Sequence, residues 1–110
     1  MDLGVTMVGE IMVATLTGEV DGQTAPEAQE RLLAHLSSLS KLMLDMSGVT
    51  YLSSAGLRML LAIYRQLAAV DGRIVLVGLS EEIKDTMTMT GLLRYFPLGD
   101  SVDDGLTMLV

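Results

Sequence analysis

Apolar positions along the chain follow two different periods, and each change of period marks a new element. In VTMVGEIMVATLTGEV, Val5 and Met7, then Ile11, Val13 and Leu16, supply extended, apolar-rich stretches around Gly9-Glu10, which predicts a hairpin. Ala28, Leu32, Leu33 and Leu36 fall at helical spacing, so a first helix is expected from about Thr24 to Leu36, with Pro26 in its first turn. KLMLDM reads as a short buried strand ended by the turn signal Ser47-Gly48.

From Leu57 onward the helical period returns. Leu57, Leu60, Leu61, Tyr64, Leu67 and Ala68 form one apolar face, and Arg58, Ala62, Arg65 and Ala69 lie opposite. Asp71-Gly72 ends this helix, and RIVLVGL is a second buried-strand candidate. Ser80 then caps a helix with Glu81 and Glu82 in its first turn and Gly91 as its left-handed stop. RYFPL reads as a short final strand and SVDDGLTMLV as a terminal helix. Strand–helix alternation from residue 41 implies right-handed crossovers and parallel neighbours, to which the hairpin adds an antiparallel pair. The expected fold class is therefore α/β, a mixed sheet carrying helices in one domain, residues 1–110.

Composition limits what such a domain does. Half of the residues are hydrophobic and 19% are charged, a globular balance. A net charge of −7 argues against direct nucleic-acid binding, which depends on Lys and Arg neutralising phosphates. The first basic residue is Arg31, so no positive segment precedes an apolar run as in a secretory signal, and no run approaches the ~20 apolar residues of a membrane span. A cytoplasmic protein without a membrane partner is expected, in weak agreement with the absence of cysteine.

Catalytic chemistry is sparse. His35, the one histidine, reads as a surface or rim residue. A hydrolase built on Ser53 or Ser54 would need that ring within ~3 Å of a serine oxygen. No Cys/His cluster, calcium-loop order or phosphate loop ending in Gly-Lys-Ser/Thr is present, so no metal and no cofactor is expected. A surface acted on by other proteins is the stronger expectation.

That surface centres on YLSSAGLRML, residues 51–60. A serine between an extended stretch and a helix caps orphan N–H groups, for roughly 1 kcal/mol. A loop serine at a helix N-terminus also suits phosphorylation, since a phosphate there brings about −1.5 to −2 charge to a place where backbone N–H groups favour it. Arg58 stands one turn after Ser54, within reach of such a phosphate. Both roles fit the residues. Met59, off the main stripe, is expected at the surface as an adaptable partner contact, whereas Met87 and Met89 are expected to fill the core.

These segments resemble a known family. LTGEVDGQTAPEAQERL, the run from LMLDMSGVTYLSSAGLRMLL to MTMTGL, and FPLGDSVDDGL are similar to bacterial STAS-domain anti-sigma factor antagonists, over about Leu3 to Leu109. Asp45, Ser47-Gly48 and SSAGLR carry most of the likeness. The resemblance implies a STAS-like sheet of about four to five strands with about four helices. It also implies partner switching: the unmodified antagonist binds a histidine-kinase-like anti-sigma factor and frees a sigma factor. That same serine kinase phosphorylates the antagonist and loses its grip, and a PP2C-type phosphatase restores binding. The acceptor lies two residues before the motif glycine, here Gly56, which assigns Ser54, with Ser53 as second choice. Asp21 matches a loop aspartate beside that region, where helix capping is an equally good role. The implied partner surface comprises Asp21, Ser53, Ser54, Ala55, Gly56, Arg58 and Met59. Ser53 stands where many members have an acidic residue, and Ala55 replaces a common Ser or Thr. A rival within the same fold is an unphosphorylated scaffold: a stressosome component or the STAS subunit of a lipid-transport ABC complex.

Overall fold

A computed structural model describes residues 1–36 and 40–110. Strands β1 (Asp2–Val8) and β2 (Ile11–Val20) form the expected antiparallel hairpin, with Gly9 at φ 61° in its turn. Helix α1 (Ala25–Leu33) follows, ending three residues before the expected Leu36. Next come β3 (Lys41–Leu52), α2 (Ser54–Ala69), β4 (Arg73–Val77), α3 (Glu81–Met89), a 3-10 turn at Leu93–Tyr95, β5 (Leu98–Gly99) and α4 (Val102–Leu109). Among the described residues the strands form one sheet in the order β1-β2-β3-β4-β5, parallel from β2 onward.

Each helix follows a parallel strand, so all four helices begin at the same end of the sheet. The apolar sets of α1, α2 and α3 pack with Leu42, Leu44 and Met46 of β3 on one face. Leu109 of α4, flanked by Val102 and Leu106, covers Val13, Met43, Val75 and Val77 on the other. Gly105 permits that approach, because a Cβ there would lie 2.8 Å from the Met43 sulfur and 2.9 Å from Val77.

Several expectations need correction. Ser47-Gly48 does not end β3. The strand runs on to Leu52 beside β2, and its extra residues are absorbed by register shifts between Thr15 and Thr17 and between Gly18 and Glu19. The side chain of Asp45 holds the first irregularity, accepting from the Ser47 hydroxyl at 2.8 Å and the Ser47 amide at 3.1 Å. Glycine follows because a Cβ at Gly48 would stand 2.7 Å from Thr17 Cγ2. RYFPL is not the last strand: Leu93–Tyr95 coil into the 3-10 turn, and only Leu98–Gly99 pair with β4.

Two methionines were also expected elsewhere. Met59 is buried, 1% exposed, because α2 is covered on two sides, by the sheet and by α1, whose small Ala25 and Ala28 allow close approach. Met89 is 87% exposed while Met87 is fully buried, since residues two apart on a helix point to nearly opposite sides. Ser80 and Gly91 stand as expected: the Ser80 hydroxyl accepts from the Ile83 amide, and Gly91 has φ 75°.

Gly78, at φ 74° after β4, lies against Ser47, where a Cβ would come within 2.8 Å of Cβ and 3.0 Å of N. Gly78→Ala should lose at least about 2 kcal/mol in urea denaturation, from left-handed strain and overpacking together. Gly4→Ala, where a Cβ meets nothing within 4 Å, should stay within about 1 kcal/mol of the parent.

Candidate functional site

The serine pair lies where β3 turns into α2. Ser53 is extended (φ −79°, ψ 176°), and its hydroxyl accepts from the Gly56 amide at 3.3 Å, making it the N-cap. Its own amide donates to the Val20 carbonyl at 2.9 Å, fastening the start of α2 to the end of β2. Ser54 is the first helical residue; it is exposed, and its hydroxyl has no hydrogen bond among the described residues. The two roles that the sequence left open are thus divided: Ser53 caps, and Ser54 remains uncommitted.

Gly56 makes this junction compact. A Cβ there would stand 2.5 Å from Leu52 Cδ1 and 3.1 Å from the Val20 carbonyl oxygen. It is buried, so it shapes the serine loop from beneath and does not face a partner. Ala55 is partly exposed and Arg58 exposed; with Gly22, Pro26 and Glu30 they line a shallow groove between α1 and the start of α2.

Asp21 organises the loop that leads into α1. Its Oδ1 accepts from the Gln23 amide at 3.0 Å, the Thr24 amide at 3.1 Å and the Thr24 hydroxyl at 3.2 Å. The Thr24 hydroxyl in turn accepts from the Asp21 amide at 3.0 Å, and the Asp21 carbonyl takes the Ala25 amide. This reciprocal arrangement is a capping box one turn ahead of Ala25. The Gln23 amide, then that of Thr24, holds the Asp21 carboxyl below its ordinary pKa of 3.8.

A family model described as STAS domain matches residues 4–105. The chain belongs to the STAS domain family. It is similar to BtrV of Bordetella bronchiseptica, named as a candidate anti-sigma factor antagonist, with 30% identity over 92% of this chain and 88% of that one. It is 31% identical to an anti-sigma-B factor antagonist of Listeria monocytogenes over 70% of this chain and 68% of that one. The crystal structure of an anti-sigma factor antagonist from Mycobacterium paratuberculosis superposes with a TM-score of 0.87 at 30% identity, covering 98% of this chain and 92% of that one. The expected STAS architecture is therefore present, with its antiparallel hairpin, parallel strands and four helices.

Within this STAS domain, Asp21, Ser53, Ser54, Ala55 and Arg58 gather around one loop. Gly56 lies beneath them, and Met59 is in the core. His35 is exposed as expected, but its Nδ1 is 2.7 Å from the Arg31 carbonyl, at the end of α1 remote from the serines. Helix α1 runs about 12 Å from Ala25 to Leu33, and His35 lies beyond its far end. Tyr51, 54% exposed and opposite Glu19, is a surface residue that the sequence reading missed, because ending β3 at Gly48 put it in a loop. No group of three or more metal-ligating side chains occurs among the described residues, and no helix there is long and apolar enough to cross a membrane.

The division of labour between the serines is measurable. Ser53→Ala should lower stability by roughly 1 kcal/mol, whereas Ser54→Ala should fall within about 0.5 kcal/mol of the parent in chemical denaturation. Asp21 adds a pH dependence. Because its folded pKa lies below its unfolded one, its contribution is complete above the unfolded value and is lost as pH falls through the folded value. Asp21→Ala should therefore be less stable near neutrality and should lose less on acidification than the parent.

Proposed function

We propose that this protein is an anti-sigma factor antagonist whose hold on a histidine-kinase-like anti-sigma factor is governed by phosphorylation of Ser54. The unmodified chain binds the anti-sigma factor and releases a sigma factor. In the off-switch, the Ser54 oxygen attacks the γ-phosphorus of ATP on the kinase, ADP leaves, and the serine proton passes to a kinase base. A PP2C-type phosphatase then adds water across the phosphoester, releasing inorganic phosphate and restoring the hydroxyl. The names borne by the Bordetella, Listeria and Mycobacterium relatives support the antagonist reading.

One observation carries the choice of serine: Ser53 spends its hydroxyl on the cap, while Ser54, the next residue, is exposed with its hydroxyl free. The surrounding charge agrees. Glu27 lies in the first turn of α1, Glu81 and Glu82 in that of α3, and Asp103 and Asp104 in that of α4, whereas the first turn of α2 has no acidic residue. A phosphate on Ser54 would supply the anion that α2 lacks, so the fold accommodates the modification. A docked partner would have to desolvate the new charge or release the chain.

Incubation with ATP and the cognate serine kinase, followed by intact mass and peptide mapping, tests the assignment. The parent and Ser53→Ala should each gain one phosphate, and Ser54→Ala none. A phosphate retained on Ser54→Ala would remove Ser54 from the switch. No phosphate on any version, with the kinase active on another substrate, would favour a scaffold role.

A further inference from the structure

Helix α2 is a cationic element in an anionic protein. The chain has a net charge of −7, yet SAGLRMLLAIYRQLAA contains Arg58 and Arg65 and no Asp or Glu. Both arginines are exposed and neither forms an ion pair; among the described residues the ion pair present is Lys84–Glu81 at 3.5 Å. Glu30 stands across the groove from Arg58 without engaging it. Ser54, Arg58 and Arg65 recur at i, i+4 and i+11, so they share one exposed stripe.

We propose that this stripe docks against an acidic surface of the anti-sigma partner, and that a phosphate on Ser54 withdraws Arg58 from it. The inference rests on Ser54 being the regulated serine. In a chain of net charge −7, approach to an acidic surface is unfavourable except where local positive charge is presented, so the stripe fixes orientation as well as contributing affinity. Arginine suits the task, being weakly hydrated and able to bind a carboxylate through two parallel hydrogen bonds. A phosphate one turn away offers the same geometry with more charge, and it is always within reach. Once captured, Arg58 no longer attracts the partner, and the phosphate repels the partner's carboxylates.

Arg65 behaves differently. It lies about 16 Å along the helix from Ser54, beyond the ~8 Å over which exposed charges interact at physiological salt. It therefore contributes to docking in both states, while Arg58 contributes only in the unmodified one. This separates a capture mechanism from a general loss of positive charge.

The test measures affinity for the serine kinase that modifies the chain, with unmodified and Ser54-phosphorylated protein and with Ser54→Glu as a second off-state. Arg58→Gln should weaken unmodified binding about tenfold and shrink the effect of phosphorylation by the same factor. Arg65→Gln should weaken both states alike and leave the phosphorylation effect unchanged, and Arg58→Lys should fall between parent and Arg58→Gln. A second readout needs no partner: the gain in urea midpoint on phosphorylation should be smaller in Arg58→Gln than in the parent. Kinase binding that ignores Arg58, or a phosphorylation effect equal in parent and Arg58→Gln, overturns the inference alone. Failure of the unmodified parent to bind the kinase overturns the antagonist reading and the docking half of the inference. An equal midpoint gain in parent and Arg58→Gln overturns the capture half.

Discussion

The hydrogen bond from the Ser53 amide to the Val20 carbonyl, 2.9 Å long, is the constraint around which the functional end of the molecule is arranged. It joins the end of β2 to the start of α2. Because β2 also leads through the Asp21 capping box into α1, that one contact holds two helix starts beside each other. Gly56 allows the approach, and the length of β3 creates the need for it: this strand outruns β4 and ends beside Val20 of β2. A bulky residue at 56 or a shorter β3 would displace the start of α2, and Ser54 with it, relative to Asp21.

Around that junction the electrostatics are uneven in a useful way. Four helices start at one end of the sheet, each with a partial positive charge from its unpaired amides. The first turns of α1, α3 and α4 are balanced by their own carboxylates, and that of α2 is not. A covalent phosphate is a natural complement to an unbalanced helix start, and its arrival changes the surface far more than the interior. On the proposed function, the folded domain is a rigid carrier on which one hydroxyl determines what the surface offers.

Most of the architecture was legible because period and punctuation agreed. The hairpin about Gly9, the Ser80 cap and the Gly91 stop each rest on a local rule that no distant contact overrides. Two of the misreadings have a different cause. Ser47-Gly48 carries a turn signal, but pairing with β2 makes it part of a continuous strand, and glycine is required there by Thr17 on the neighbouring strand. Met59 lies off the stripe that faces the sheet, yet α1 covers it, which a single-helix pattern cannot register. Of the site, the serine loop and Asp21 could be read from the sequence. The allocation of cap to Ser53 and free hydroxyl to Ser54 could not, since adjacent serines differ only in which one keeps extended backbone.

On the proposed function, phosphorylation at Ser54 alters the surface and spares the fold. Backbone amide NMR spectra of the isolated chain before and after phosphorylation test it most directly. The expected shifts are confined to the first turns of α2 and α1 and the Asp21 loop, with the amides of β4, α3 and α4 unmoved. Changes spread through the sheet and α4, or loss of dispersed signals, would contradict it.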